Sequence, residues 1–218
     1  MPERESKIPL SIRDLGLCEY RKTLELQKEL LEERFRSEIA NTVLLVEHPP
    51  VITLGARELD NKLLIDNNSI KQKGIDLIQI RRGGAATAHN PGQLVLYPII
   101  DLRSVNLGIN EYIRTLEAIG IELLETVKVT TNRKKGFPGL WTQTKKIASI
   151  GVRVSRGITY HGMAININND LAIFDCIVPC GLDGVVMTSA KKNLGKNCDM
   201  TELKSQAAEI FKKHFTGN

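Results

Sequence analysis

Cysteine is scarce in this chain and never paired. The 218 residues hold four thiols, Cys18, Cys176, Cys180 and Cys198, with no CxxC element. Cys176 and Cys180 lie four apart, but no neighbouring histidine or second cysteine pair completes a tetrahedral set, so no metal site is expected. Scattered thiols of this kind point to a reducing compartment. Long apolar runs are also missing, which argues against a membrane span. Met1 to Ser6 is hydrophilic and acidic, unlike a signal or Arg-rich transit peptide, and a cytoplasmic protein is expected. A net charge of +5 is too small to imply nucleic-acid binding by itself. No repeat, linker or low-complexity segment divides the chain. Residues 1–218 are therefore read as one domain, long enough to bury a substantial core.

What is present is hydrophobic periodicity of both kinds. Residues 19–40 read as an amphipathic helix through Tyr20, Leu24, Leu31, Phe35 and Ile39, with Asn41 as its stop. A buried strand is predicted over 42–46, broken by Pro49-Pro50; extended structure resumes over 51–54 before Gly55, and a further strand covers 75–80. A strand over 94–100 carries Pro98, which argues against a central position. Asn110 is placed as the cap of a second helix with the face Tyr112, Ile113, Leu116, Ile119 and Leu123. Strands follow over 147–154 and 162–168, the second alternating as a sheet with one buried face. Asp199 and Glu202 resemble a capping box before the stripe Leu203, Ala207, Ile210, Phe211 and His214. Helices at both ends and in the middle, separated by runs of strands, favour an α+β domain over a doubly wound sheet.

Three short blocks carry the chemistry. Cys180 sits in Ile177-Val178-Pro179-Cys180-Gly181-Leu182, 34 residues after Lys146 in Lys145-Lys146-Ile147-Ala148-Ser149-Ile150-Gly151. Proline fixes the backbone before the thiol, and glycine opens space for a substrate after it. An ammonium close to a thiol favours the thiolate and can carry its proton to and from a leaving group. Upstream, Arg82-Gly83-Gly84-Ala85-Ala86-Thr87-Ala88-His89 is a glycine-rich basic loop whose amides can crowd a ligand. It is neither a Walker loop nor a Rossmann fingerprint. Together the blocks suggest acyl transfer through a covalent thioester. The residues alone leave the alternatives open: an inert buried cysteine, a surface lysine, and histidines (His89 and His161) that only brace loops. His48, before two prolines, reads as structural.

The same residues carry a family resemblance. Arg82-Gly83-Gly84, Thr87, His89, Pro91-Gly92-Gln93 and Tyr97-Pro98-Ile99 resemble the first signature of lipoyl(octanoyl) transferases. Pro138-Gly139-Leu140-Trp141, Lys146 to Arg153 and His161 to Asn166 resemble the second. Ile177 to Leu182, followed by Val186, Thr188 and Ser189, resembles the third. The resemblance implies a mixed sheet flanked by helices, as in biotin and lipoate protein ligases. It implies Cys180 as the acylated nucleophile and Lys146 as its activating partner. The acyl chain is expected along Arg82, Gly83, Gly84, Ala85, Ala86, Thr87, Ala88 and His89, at Ser149, Ile150 and Gly151, and at Gly162, Met163 and Ala164. Ala88 stands where the family usually has an aromatic residue, and Asn90 where it has glycine. The implied donor is octanoyl-acyl carrier protein. The implied acceptors are lipoyl domains of 2-oxoacid dehydrogenase complexes and the glycine cleavage H protein, and no cofactor is expected. An ATP-dependent lipoate-protein ligase and a non-catalytic module that binds lipoyl domains or carriers are the alternatives. Basic clusters such as Arg81-Arg82, Arg133-Lys134-Lys135, Lys145-Lys146 and Lys191-Lys192 suit acidic partners or plain solvation.

Overall fold

Among the described residues, ten strands form two sheets stacked against one another, with five helices around them. The computed structural model describes residues 9–216, so the N-terminal segment Met1 to Ser6 lies outside the described residues. The larger sheet has seven strands, ordered β1-β2-β6-β10-β9-β8-β7. These are β1 (Leu10–Leu17), β2 (Asn41–Glu47), β6 (Gln93–Ile99), β10 (Ile158–Asn166), β9 (Lys145–Ser155), β8 (Phe137–Thr142) and β7 (Asn132–Lys134). Only the β1–β2 pair is parallel; the other pairings are antiparallel. The smaller sheet is β4-β3-β5, from β3 (Val51–Leu54), β4 (Asp76–Gln79) and β5 (Thr87–His89).

Helices α3 (Ile109–Thr126) and α5 (Met200–Phe215) cover one face of the large sheet. Val43, Leu45, Leu96, Met163 and Ile165 meet Leu116, Ile119, Leu203 and Phe211 there in one buried cluster. The other face, with Leu44, Val46, Val95, Tyr97 and Ala164, packs under α1 (Tyr20–Phe35) and the inner side of the small sheet. The outer side of the small sheet has its own core with Ile52, Ile70, Ala88, Phe174 and Cys176, closed by α2 (Asn67–Gln72) and a 3₁₀ turn at Leu171–Cys176. A short α4 (Ala190–Leu194) precedes α5. The α+β expectation of a mixed sheet flanked by helices matches this architecture.

Several local expectations are corrected. β6 lies inside the large sheet despite Pro98, because the β6–β10 ladder runs only from Gln93 to Leu96. Beyond it His161 has φ of 56°, which breaks the ladder, and the Thr159 hydroxyl donates to the Pro98 carbonyl at 2.8 Å. The missing N–H of Pro98 thus faces a gap in pairing. β10 is buried along its whole length, since both faces are covered. Gly108, not Asn110, caps α3, with the Glu111 carboxylate accepting from the Gly108 amide at 2.8 Å. At α5, Asp199 accepts from Thr201 and Glu202 amides, while His214 leaves the stripe to meet Glu122 at 3.1 Å and Phe215 takes the buried place.

Candidate active site

The thiol of Cys180 is held in a strained, clamped turn. Its backbone adopts φ 60° and ψ 13°, a left-handed conformation that costs a side-chain-bearing residue about 1–2 kcal/mol. Three neighbours hold it there. The Cys180 amide donates to the Ala86 carbonyl at 2.9 Å, and the Val178 amide donates to the Lys62 carbonyl at 2.9 Å. Gly181, at φ 68°, lies so close to Asp60 and Ala85 that a Cβ would meet them at 2.9 and 3.2 Å.

Lys146 reaches the sulfur from the large sheet. Its Nζ donates to the Cys180 Sγ at 3.5 Å and to the Pro138 carbonyl at 3.1 Å, and the residue is 2% exposed. A β-bulge sets this direction. Leu140 pairs with Ala148, but the next residue, Trp141, pairs with Lys146. Ile147 is therefore the extra residue; it and Ala148 both enter the α3–α5 core, and Lys146 turns to the side of Ser149. The Ser149 hydroxyl lies 3.7 Å from the same sulfur. Lys145 is exposed and takes no part. No carboxylate lies within ion-pair distance of Lys146 among the described residues.

A cavity of about 570 Å³ opens in front of the sulfur, a size ordinary for small-ligand sites. Val95, Gly162, Met163, Ala164, Ile150, Gly151 and Leu182 give it apolar or bare backbone walls. Arg82, Gly83, Gly84, Ala85, Thr87 and His89 line it from the loop and β5. Ala86 and Ala88 do not. Ile52 pairs with Ala88 across β3 and β5, and strand alternation sends both to the outer core, while Thr87 and His89 face the cavity. Ala86 nevertheless serves the site through its carbonyl on Cys180. Asn90 keeps a negative φ and ties the loop down by donating to the Asp170 carbonyl at 2.8 Å.

Buried polar groups form the inner end. Burial holds His89 well below the ordinary imidazole value, so the ring is neutral. The Gln93 amide nitrogen donates to Ala88 and Asn166 oxygens, leaving its oxygen to accept from His89 Nδ1 at 2.7 Å. His89 Nε2 is then an unprotonated acceptor on the cavity side. Burial also lowers His161 to about 3 and His48 to about 4. His48 is structural, as expected: it donates to the Cys18 carbonyl at 2.6 Å and accepts from the Tyr97 hydroxyl at 2.9 Å. Arg82 is buried with no carboxylate partner among the described residues, and its donors go to Thr53 and Gly83 oxygens.

Sequence reasoning missed Tyr20, Tyr97, Pro138 and Trp141 as site residues. Tyr20 stands on the helical stripe that signals core, and Pro138 acts only through its backbone. The other cysteines lie away from the dyad: Cys176 in the outer core, Cys18 against the α1 cluster and Cys198 beside the α3–α5 core. No helix among the described residues is long and apolar enough to cross a membrane.

Known proteins resemble this chain in sequence and in fold. Residues 19–212 match the family described as the lipoyl protein ligase A/B catalytic domain. An octanoyltransferase from Alkaliphilus metalliredigens is 40% identical over 207 residues, covering 94% of this chain and 95% of that protein. A mitochondrial octanoyltransferase from Arabidopsis thaliana is 42% identical over 184 residues, covering 84% and 78%. The bipartite lipoate protein ligase of Thermoplasma acidophilum superposes with a TM-score of 0.72 at 15% identity, covering 94% of this chain and 84% of that one, and so shares the fold. The chain belongs to the lipoyl protein ligase A/B catalytic family, as an acyltransferase homologous to octanoyltransferases.

Proposed function

We propose that this acyltransferase moves an octanoyl group from the phosphopantetheine thiol of acyl carrier protein to a lysine of a lipoyl domain, through a thioester on Cys180. The observation that carries the reading is the 3.5 Å contact between Lys146 Nζ and Cys180 Sγ at the wall of an apolar cavity. The Cys180 thiolate attacks the donor carbonyl and a new C–S bond forms. The carrier sulfur leaves and takes a proton from the Lys146 ammonium. The two thioesters are near-equal in energy, so positioning rather than ATP drives the exchange. The acceptor enters as a neutral amine and attacks the acyl-enzyme. Lys146, now the free amine, takes the proton it sheds as Cys180 departs, which restores the thiolate–ammonium pair.

The oxyanion needs donors that are not already used. The Cys180 and Gly181 amides donate to Ala86 and Val178 carbonyls. The amides of Gly84 and Ala85 donate to no acceptor among the described residues, and both residues line the cavity beside Cys180. They are the oxyanion donors in this reading. The apolar walls beside the sulfur, from Val95, Ile150, Met163, Ala164 and Leu182, disfavour water next to the thioester in this reading.

The test is incubation with octanoyl-acyl carrier protein without ATP, read by intact mass. A covalent octanoyl adduct is expected, lost in Cys180→Ser and kept in Cys176→Ser. Absence of the adduct in the unmodified protein, or lipoyl-domain modification only with free acid and ATP, overturns the proposal in favour of a ligase. Binding of carrier or lipoyl domain with no adduct and no transfer points to a non-catalytic module.

A further inference from the structure

Lys146 is a buried ammonium with three hydrogens and two acceptors. Pro138 O takes one and Cys180 Sγ another. An unpaired buried charge is expensive, and no carboxylate is near to offset it. A further neighbour is the ring of Trp141, whose centroid lies 5.2 Å from Nζ; the exposed Lys134 Nζ shares that ring at 4.7 Å, but only the Lys146 contact is withdrawn from water. This contact follows from strand register, because the bulge at Ile147 makes Trp141 the direct cross-strand partner of Lys146. The ring itself is fixed: Trp141 is 2% exposed, its Nε1 donates to the Phe137 carbonyl at 3.3 Å, and Phe137 meets it edge-on at 6.4 Å. An indole face is the strongest cation–π partner among the side chains, and desolvation strengthens the attraction.

We infer that Trp141 is a positioning residue of the acyl-transfer site, holding the Lys146 ammonium against Cys180 through its ring face. The inference rests on the proposed Cys180–Lys146 chemistry and adds a third member to it. Trp141 makes no bond and moves no proton. It lowers the energy of the charged form of Lys146 at the distance from sulfur at which that charge matters. It also limits the rotamers open to a long, flexible side chain. A leucine at 141 fills part of the space without the ring's electrostatics, and a phenylalanine restores a weaker ring.

The experiment measures acylation of Cys180 in single turnover and the pH dependence of its alkylation by iodoacetamide. The variants are Trp141→Leu and Trp141→Phe, each also made in a Lys146→Met background. With Lys146 present, Trp141→Leu is expected to slow acylation by on the order of tenfold and to move the alkylation curve to higher pH. KM for the carrier should stay put, and Trp141→Phe should fall between Trp141→Leu and the unmodified protein. In the Lys146→Met background both Trp141 substitutions should have no further effect, since the group they hold is gone. Equal losses from Trp141→Leu with and without Lys146 overturn the inference and leave a packing role. If Trp141→Leu does not fold, Trp141→Phe decides, because packing alone predicts no shift of its alkylation curve. Failure of the unmodified protein to form any adduct refutes the proposed chemistry instead, which separates the two.

Discussion

Gly139 is the position where one methyl group should disconnect the dyad without touching either member. It sits in β8 at φ 121°, a region that only glycine occupies without strain. A Cβ there would overlap the Ala148 carbonyl oxygen on β9 and stand 3.0 Å from Lys146 Cε. β9 cannot yield, because Ala148 is fully buried in the α3–α5 core. β8 must therefore move outward, by on the order of an ångström, and it carries the Pro138 carbonyl that holds Lys146 Nζ. Displacement on that scale at a reacting group costs roughly 100-fold in rate. The backbone strain adds about 1–3 kcal/mol of instability, or several degrees in Tm for a chain of this size. The control is Gly136→Ala at φ 82°, where a Cβ meets nothing within 4 Å. It should share the strain and keep the rate. Single-turnover formation of the octanoyl adduct, with thermal unfolding alongside, distinguishes the two. A folded Gly139→Ala that acylates within about threefold of the unmodified protein would refute the claim that Pro138 and Gly139 place the lysine.

Lys146→Met should slow iodoacetamide alkylation of Cys180 at neutral pH by about tenfold or more, whereas Lys145→Met, changed on the exposed side of the strand, should leave it unchanged. His48, lowered to about 4 by burial against an ordinary 6.5, binds a proton more readily in the unfolded chain. Its contribution is complete above pH 6.5 and is lost as pH falls towards 4, about 3 kcal/mol in all. His48→Gln should therefore show a shallower fall in Tm between pH 7 and 4, and an identical slope would show that this ring is not held neutral. Ala88→Tyr should lower Tm by overfilling the outer core, about 1–3 kcal/mol or more, with acyl-chain preference unchanged in a competition of carriers bearing different chains. A narrowed preference at unchanged Tm would place residue 88 back in the cavity.

The parts of this molecule visible in its sequence are those whose signal is local. α1, α3 and α5 announce themselves by apolar spacing, and the Pro-Cys-Gly turn by its flanking residues. Strand alternation also separates Lys145 from Lys146 correctly. It stops short of explaining why Lys146 and Ser149 share a face, since regular alternation puts positions three apart on opposite sides. The bulge at Ile147 is set by pairing with β8, which leaves no mark on β9 alone. β1 was not visible for the same reason: its half-buried residues gain meaning only beside β2. Ala88 is misplaced by the sequence because a glycine-rich loop reads there as one continuous surface. The three residues of β5 are too few to display the period that sends the middle one outward. Trp141 read as part of a motif, with no indication that its ring faces a charge brought in from the next strand.

The two side chains of the proposed dyad are anchored in different layers. Cys180 hangs by its amide from Ala86, next to β5 of the small sheet, and its loop is braced by residues 60–62. Lys146 belongs to the large sheet, pinned between Trp141 and the Val186 and Thr188 backbone. A distance of 3.5 Å between them is thus a measure of how well two separately packed layers sit together. Local opening of the outer core, well below the energy of global unfolding, would part the pair while the large sheet stayed intact. Heat or a remote core substitution should then silence the chemistry before it melts the fold, so that loss of activity and loss of structure become two transitions on one temperature axis.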